Sequence, residues 1–170
     1  MILIILLFPI LLVGQKWNKA DSLAYYTFVA EAQYDMVGNY AASSYYLTKA
    51  IRLDPRDPEL YRLRASSREN MGDIRGTEAD YTMVLQLEPG EIAAYERRAE
   101  ARVVLKKYQE AIRDFDFLIF SDPEYSGYYY ERGLCKKELN DLDGACSDFN
   151  QASRLGSRIA YLTIIECCIK

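Results

Sequence analysis

The sequence predicts an all-α solenoid of antiparallel helix pairs, repeated about four times and closed by one further helix. Three observations predict it. Pro55, Pro89 and Pro123 stand 34 residues apart. Side chains of one class recur at the same interval in several independent columns, the mark of a repeat architecture. Within each interval, apolar residues step by three and four, as one buried helical face requires. The chain has 170 residues, half of them apolar, enough for one domain with a substantial interior.

Residues 1–14 read as a leader. Ile2 to Val13 are apolar apart from Pro9, and as a helix they would span about 18 Å, short of a ~30 Å hydrocarbon core. That is the length of the apolar region of a signal peptide, with Leu12 and Gly14 offering a cleavage site before Gln15. Cleavage places the protein in an exported compartment: periplasm, cell envelope or the medium. Retained, the segment would be an anchor and the only part to meet a membrane. Residues 15–23 follow as a linker.

Residues 24–157 divide into four periods, 24–57, 58–91, 92–125 and 126–157. A bulky column runs Leu47, Tyr81, Phe115, Phe149, and a small column Ser43, Thr77, Ala111, Ala145. A second small column reads Ala65, Ala99, Gly133, and a tyrosine column Tyr61, Tyr95, Tyr129. Gly38, Gly72, Lys106 and Asn140 share the turn position between paired helices. Two helices approach closely only where side chains are small, so Ala65, Ala99 and Gly133 should face the other small column, with the large rings filling the gap beside it. Each Asp-Pro or Glu-Pro ends a helix, because proline disfavours helix in the residue before it.

These columns resemble the tetratricopeptide repeat, one copy reading Tyr95, Ala99, Tyr108, Ala111, Phe115, Pro123. The first copy departs from the pattern at Thr27 and Glu31 but keeps Tyr34, Gly38, Tyr40, Ala50 and Pro55. The resemblance implies a right-handed α-solenoid of four repeats, with residues 158–170 as a capping helix. It also implies that the first helix of each pair lines a concave groove that holds a peptide or partner helix. Carried over, the groove positions are Tyr25, Phe28, Arg62, Glu69, Glu96, Arg97, Glu100, Tyr130, Glu131 and Lys137. The Lys, Asn and Arg set with which some members grip a terminal carboxylate is not matched: Glu96 and Ser66 stand where Lys and Asn are wanted.

Arginine recurs at Arg64, Arg98 and Arg132, and aspartate at Asp80, Asp114 and Asp148, sixteen residues later each time. In an antiparallel hairpin, positions that mirror about the turn lie side by side. Each repeat should therefore hold an Arg–carboxylate bridge, Arg64 to Asp80, Arg98 to Asp114 and Arg132 to Asp148, fixing hairpin register. Evenly repeated pairs of this kind indicate architecture rather than catalysis.

The four cysteines are Cys135, Cys146, Cys167 and Cys168. Cys135 and Cys146 mirror roughly about the last turn and could meet within one hairpin. Cys146 could instead reach Cys167 or Cys168 and staple the closing helix, which is the preferred reading, since a short terminal helix gains most from a tether. Four buried thiols is the alternative in a reducing compartment.

Composition narrows the function. The chain has no histidine, which removes Ser-His-Asp, Cys-His and HExxH chemistry. No CxxC, phosphate-cradling glycine loop or metal cluster is present, so no catalytic, cofactor-binding or metal residue is assigned. Net charge is −4 with both signs interleaved, and no basic stripe marks a nucleic-acid binder. The expectation is an exported, non-catalytic module whose partner is another protein or a peptide. The competing readings are a membrane-tethered spacer in a cell-envelope complex and an accessory domain of an enzyme.

Overall fold

The computed structural model describes residues 17–168, which form nine helices and, among the described residues, no strand. The expected leader, 1–14, lies outside them. The helices are α1 (Lys19–Asp35), α2 (Tyr40–Leu53), α3 (Pro58–Met71), α4 (Ile74–Leu87), α5 (Ile92–Val104), α6 (Tyr108–Ser121), α7 (Ser126–Glu138), α8 (Leu142–Arg154) and α9 (Arg158–Cys167). The described residues divide into two compact units, the first ending at Asp73 and the second beginning at Ile74. In the first, α1 packs on α2 and α2 on α3. In the second, each helix from α4 to α9 packs on the next.

The chain enters α1 earlier than the linker reading of 15–23 expected. Asn18 and Asp21 form a reciprocal capping box, the Asn18 side chain accepting from the Asp21 amide at 2.9 Å. This satisfies two amide donors that a bare helix start leaves open, so the helix begins at Lys19. The side chains of Asn39, Asp57, Asp141 and Ser157 each accept one amide hydrogen bond at the starts of α2, α3, α8 and α9, without the reciprocal half of the box. Pro58, at the first turn of α3, sits where its missing donor costs nothing.

The turn column is a conformational column. Gly38, Gly72, Lys106 and Asn140 all have left-handed backbone, with φ of 63°, 74°, 58° and 63°. After three of them the next amide closes back onto the helix it leaves: Asp73 to the Arg68 carbonyl at 2.9 Å, Lys107 to Arg102 at 2.8 Å and Asp141 to Lys136 at 2.9 Å. This closure satisfies the last carbonyls of each of these helices.

In the first unit Leu47, Ala50, Leu60 and Ala65 are buried, and the Ser67 hydroxyl donates to Ser43 Oγ at 3.0 Å inside the packed layer. In the second, Ala99, Ala111, Phe115, Leu118, Tyr128 and Cys135 form one buried cluster, with Tyr95, Val103 and Tyr108 against it. Gly133 shows why the crossing column is small. A Cβ there would lie 2.6 Å from the Phe149 ring and 3.3 Å from the Ala145 carbonyl. Asp114 and Asp148 are buried too, and each lies against the arginine that mirrors it about the turn, as antiparallel hairpins require.

Candidate functional site

Two sets of residues stand out in the second unit: a buried charge lattice that fixes the hairpins, and a groove beside it.

The lattice contains two of the three expected arginine–aspartate pairs, and more. Arg98 holds Asp114 bidentately at 2.6 and 3.1 Å, and Arg132 holds Asp148 at 2.7 and 2.9 Å. Arg64 and Asp80 belong to different units: Arg64 donates to Thr48 Oγ1 at 3.0 Å, and Asp80 is buried. A second cation, one helical turn further on, completes each aspartate: Arg102 at 2.6 Å from Asp114 and Lys136 at 2.8 Å from Asp148. Arg102 also reaches Glu78 at 3.2 Å, and Lys107 reaches the other Glu78 oxygen at 2.5 Å. Burial disfavours the charge on Glu78, but donors from Lys107 and Arg102 outweigh it and hold its carboxyl below the usual glutamate range. For Arg132, burial is likewise outweighed by the hydrogen bonds it donates to Asp148 and Asp116, so it is held firmly charged. Each column arginine also lies over the ring of the tyrosine three residues earlier, at 5.7 Å for Arg64 on Tyr61, 5.3 Å for Arg98 on Tyr95 and 5.7 Å for Arg132 on Tyr129. With a ring over one face and acceptors at its edge, each guanidinium is held in place, and these residues are architectural.

The groove, of about 520 Å³, lies between α5 and α7, the first helices of the third and fourth repeats, with Phe115 of α6 behind it. Its apolar and aromatic wall is Val103, Val104, Phe115, Tyr125 and Tyr128. Its charged residues are Glu96, Arg97, Glu100 and Glu131, all four of them groove positions carried over in the sequence reading. Gly127 also lines it; a Cβ there would lie 2.6 Å from the Tyr125 ring, so the glycine lets that ring fold across the start of α7.

The carboxylates are not equivalent. Glu96 accepts a short hydrogen bond from the Tyr128 hydroxyl. Burial and that bond hold the Tyr128 phenol well above its usual range. Glu100 pairs with Arg97 at 3.2 Å on the exposed rim, where such a pair contributes little. Glu131 has no cationic partner among the described residues. Burial, and then the negative charge of Glu100, push its carboxyl above the usual range.

The other expected groove residues lie elsewhere. Tyr130 is turned onto Phe149, ring centroids 5.8 Å apart. Three successive tyrosines start α7, and helical phase sends Tyr128 to the groove wall, Tyr129 beneath Arg132 and Tyr130 to Phe149. Lys137 points to the chain end, its ammonium donating to Cys167 Sγ at 3.2 Å. In the first unit, Tyr25 meets Trp17 edge-on at 4.9 Å, Phe28 is exposed, Arg62 pairs with Glu59 at 2.7 Å, and Glu69 is half-buried near the end of α3. That unit has its own smaller cavity, about 150 Å³, whose lining includes Glu31, Tyr34, Leu63 and Ser66 but none of those four. The sequence pattern did not mark Tyr125, Val103 or Val104, because Glu91, Glu69 and Asn70 stand one repeat earlier; Tyr128 does keep an apolar column with Leu60 and Ala94, which was open to the same reading.

At the chain end, Cys146 of α8 is bonded to Cys168, with the two Cα atoms 5.8 Å apart. Cys135 and Cys167 are free thiols. Burial and the nearby Glu131 and Glu138 charges push the Cys135 thiol up to about 11, so it stays protonated and inert.

No family model matches the sequence, and no curated protein matches it. Solved structures share its fold. Residues 41 to the end of MamA from Desulfovibrio magneticus RS-1 are 21% identical over 82% of this chain and 78% of that chain, with a TM-score of 0.69. A tetratricopeptide repeat protein from Parabacteroides merdae is 24% identical over 83% of this chain and 57% of that one, also at 0.69. The TPR domain of Arabidopsis OM64 is 22% identical over 71% of this chain and 98% of that one, at 0.58. The fold is that of the tetratricopeptide repeat, an all-α array of helix pairs.

Proposed function

We propose that the protein is an exported interaction module that holds a peptide or helix of another protein in the α5–α7 groove. The observation that carries this reading is the groove itself. Aromatic and aliphatic side chains form one wall, and Tyr125 and Val104 remain 53% and 65% exposed there. Rigid rings at the edge of a concave site are the usual anchors of a protein interface. The arginine–aspartate lattice behind the groove fixes α5 and α7 against their hairpin partners, so the site is preorganised. Nothing in the lining supplies a nucleophile with its base, which favours binding over catalysis.

Export is supported by two features of different kinds: the apolar stretch Ile2 to Val13 and the Cys146–Cys168 disulfide. Disulfides persist in oxidising compartments. No helix among the described residues is long and apolar enough to cross a membrane.

Site-specific photo-crosslinking in the native host tests the groove. A crosslinking residue at Val104, inside the groove, should capture a discrete partner. The same residue at Arg113, exposed on α6 outside it, should not. Equal capture from both positions, or none from Val104, would remove the groove from the function.

A further inference from the structure

The groove has three carboxylates and one guanidinium, and the guanidinium is already engaged with Glu100. Glu131 is half-buried without a cationic partner, and its charge is disfavoured both by burial and by Glu100. Unbound, the site therefore carries negative charge that nothing on its own wall neutralises. Among the described residues, no three acidic or thiol groups come close enough together to hold a metal ion, so the complement is an organic cation. Immediately beside these carboxylates lie the Val103, Val104 and Tyr125 side chains, which suit an aliphatic stem or an adjoining apolar residue.

We propose, resting on the groove reading above, that the occupant is a basic peptide segment of a partner protein. It places a Lys or Arg head between Glu100 and Glu131, and an apolar neighbour against Val103, Val104 and Tyr125. The long side chains of Lys and Arg match both halves of the site, since an apolar stem ends in a charged head. A cation brought to Glu131 relieves the repulsion from Glu100, so charge is attracted most strongly where it is least compensated. An acidic peptide meets the reverse situation and is excluded by like charge.

The test uses the full oxidised protein and an immobilised library of short random-sequence peptides, followed by fluorescence anisotropy on the tightest binders. Peptides with Lys or Arg beside an apolar residue should be enriched. Replacing that basic residue by Gln should weaken binding about tenfold, as should Glu131→Gln and Glu100→Gln in the protein. Tyr125→Ala should weaken binding of every groove-bound peptide. If binding depends on Tyr125 but the selected peptides are neutral or acidic, the basic-segment inference is overturned and the groove reading stands. If no selected peptide depends on Tyr125, both fall. Retained helical circular dichroism in each variant separates these outcomes from loss of fold.

Discussion

Two carboxylates on neighbouring helices, Asp114 and Glu131, do opposite things. Asp114 is buried against Arg98 and Arg102, each within 2.6 Å. Removing it strips Arg98 of its buried counter-charge and leaves Arg102 with Glu78 alone, which is far worse than losing the whole group. Asp114→Ala is therefore expected to cost about 3–5 kcal/mol, whereas removing exposed Arg97 should cost no more than about 1 kcal/mol. Urea denaturation of both variants checks this; comparable losses would show that the lattice does not fix the hairpin. Glu131 is the reverse case. Its folded carboxyl is raised above the unfolded value by burial and by Glu100, so the stability gained from keeping it protonated is present at low pH. That stability is lost as pH rises through the raised folded value. Glu131→Gln should then raise the melting temperature at pH 7 by about one to three degrees. The gain should vanish below the ordinary glutamate pKa of about 4.3. A variant that melts lower at pH 7, or gains equally in acid, would contradict the assigned environment. A stabilising change that also weakens peptide binding is the pattern of a residue retained for function.

At the scale of elements, α9 is the part held least by packing. It has ten residues, too few for a stable helix alone. Only Ala160 of it is fully buried, while Ile159, Tyr161, Leu162 and Ile165 are about half exposed. Its tether is the Cys146–Cys168 bond, which closes a sequence separation of 22. In the chain-entropy account such a loop is worth about 3 kcal/mol. Cys168→Ser is expected to lower amide-exchange protection across α9 by about a hundredfold while leaving α6 and α7 unchanged. Cys167→Ser should leave α9 protected. Equal protection in the two variants would mean that packing on α8 suffices. The sequence left Cys135 and free thiols open beside the preferred Cys167 or Cys168, and could not choose between those two, because adjacent residues differ by about a third of a helical turn and that phase is set by packing. The structure turns Cys168 to α8 and Cys167 to Lys137. The same logic governs Tyr128, Tyr129 and Tyr130, where composition is identical and only the phase of α7 selects the groove residue.

For the molecule as a whole, what could be read in advance was whatever recurs. The 34-residue columns foretold the helix pairs, the turn positions and the arginine–aspartate spacing, because each is a geometric demand that every repeat must meet. The second cation column, Arg68, Arg102 and Lys136, obeys the same interval and was open to the same reading. The groove was half legible: Glu96, Arg97, Glu100 and Glu131 follow from their places on first helices, whereas Tyr125 and Val104 keep no period, Glu91 and Asn70 standing one repeat earlier. The cellular compartment belongs to this scale, since two distant parts of the chain must agree on it. If residues 1–14 direct export, the recovered protein should begin at Gln15, and the Cys146 and Cys168 thiols should be oxidised to one bond. A protein held in a reducing compartment should instead keep Met1 and four free thiols. Expression with the native leader, alkylation under native conditions and then intact-mass measurement reads both ends at once. Cleaved and oxidised chains should appear together, with Cys167 alkylated and buried Cys135 protected. An intact amino terminus on a fully reduced chain would remove the export reading. A cleaved but reduced chain would show that Cys146 and Cys168 do not bond during export, and the staple on α9 would then be lost with it.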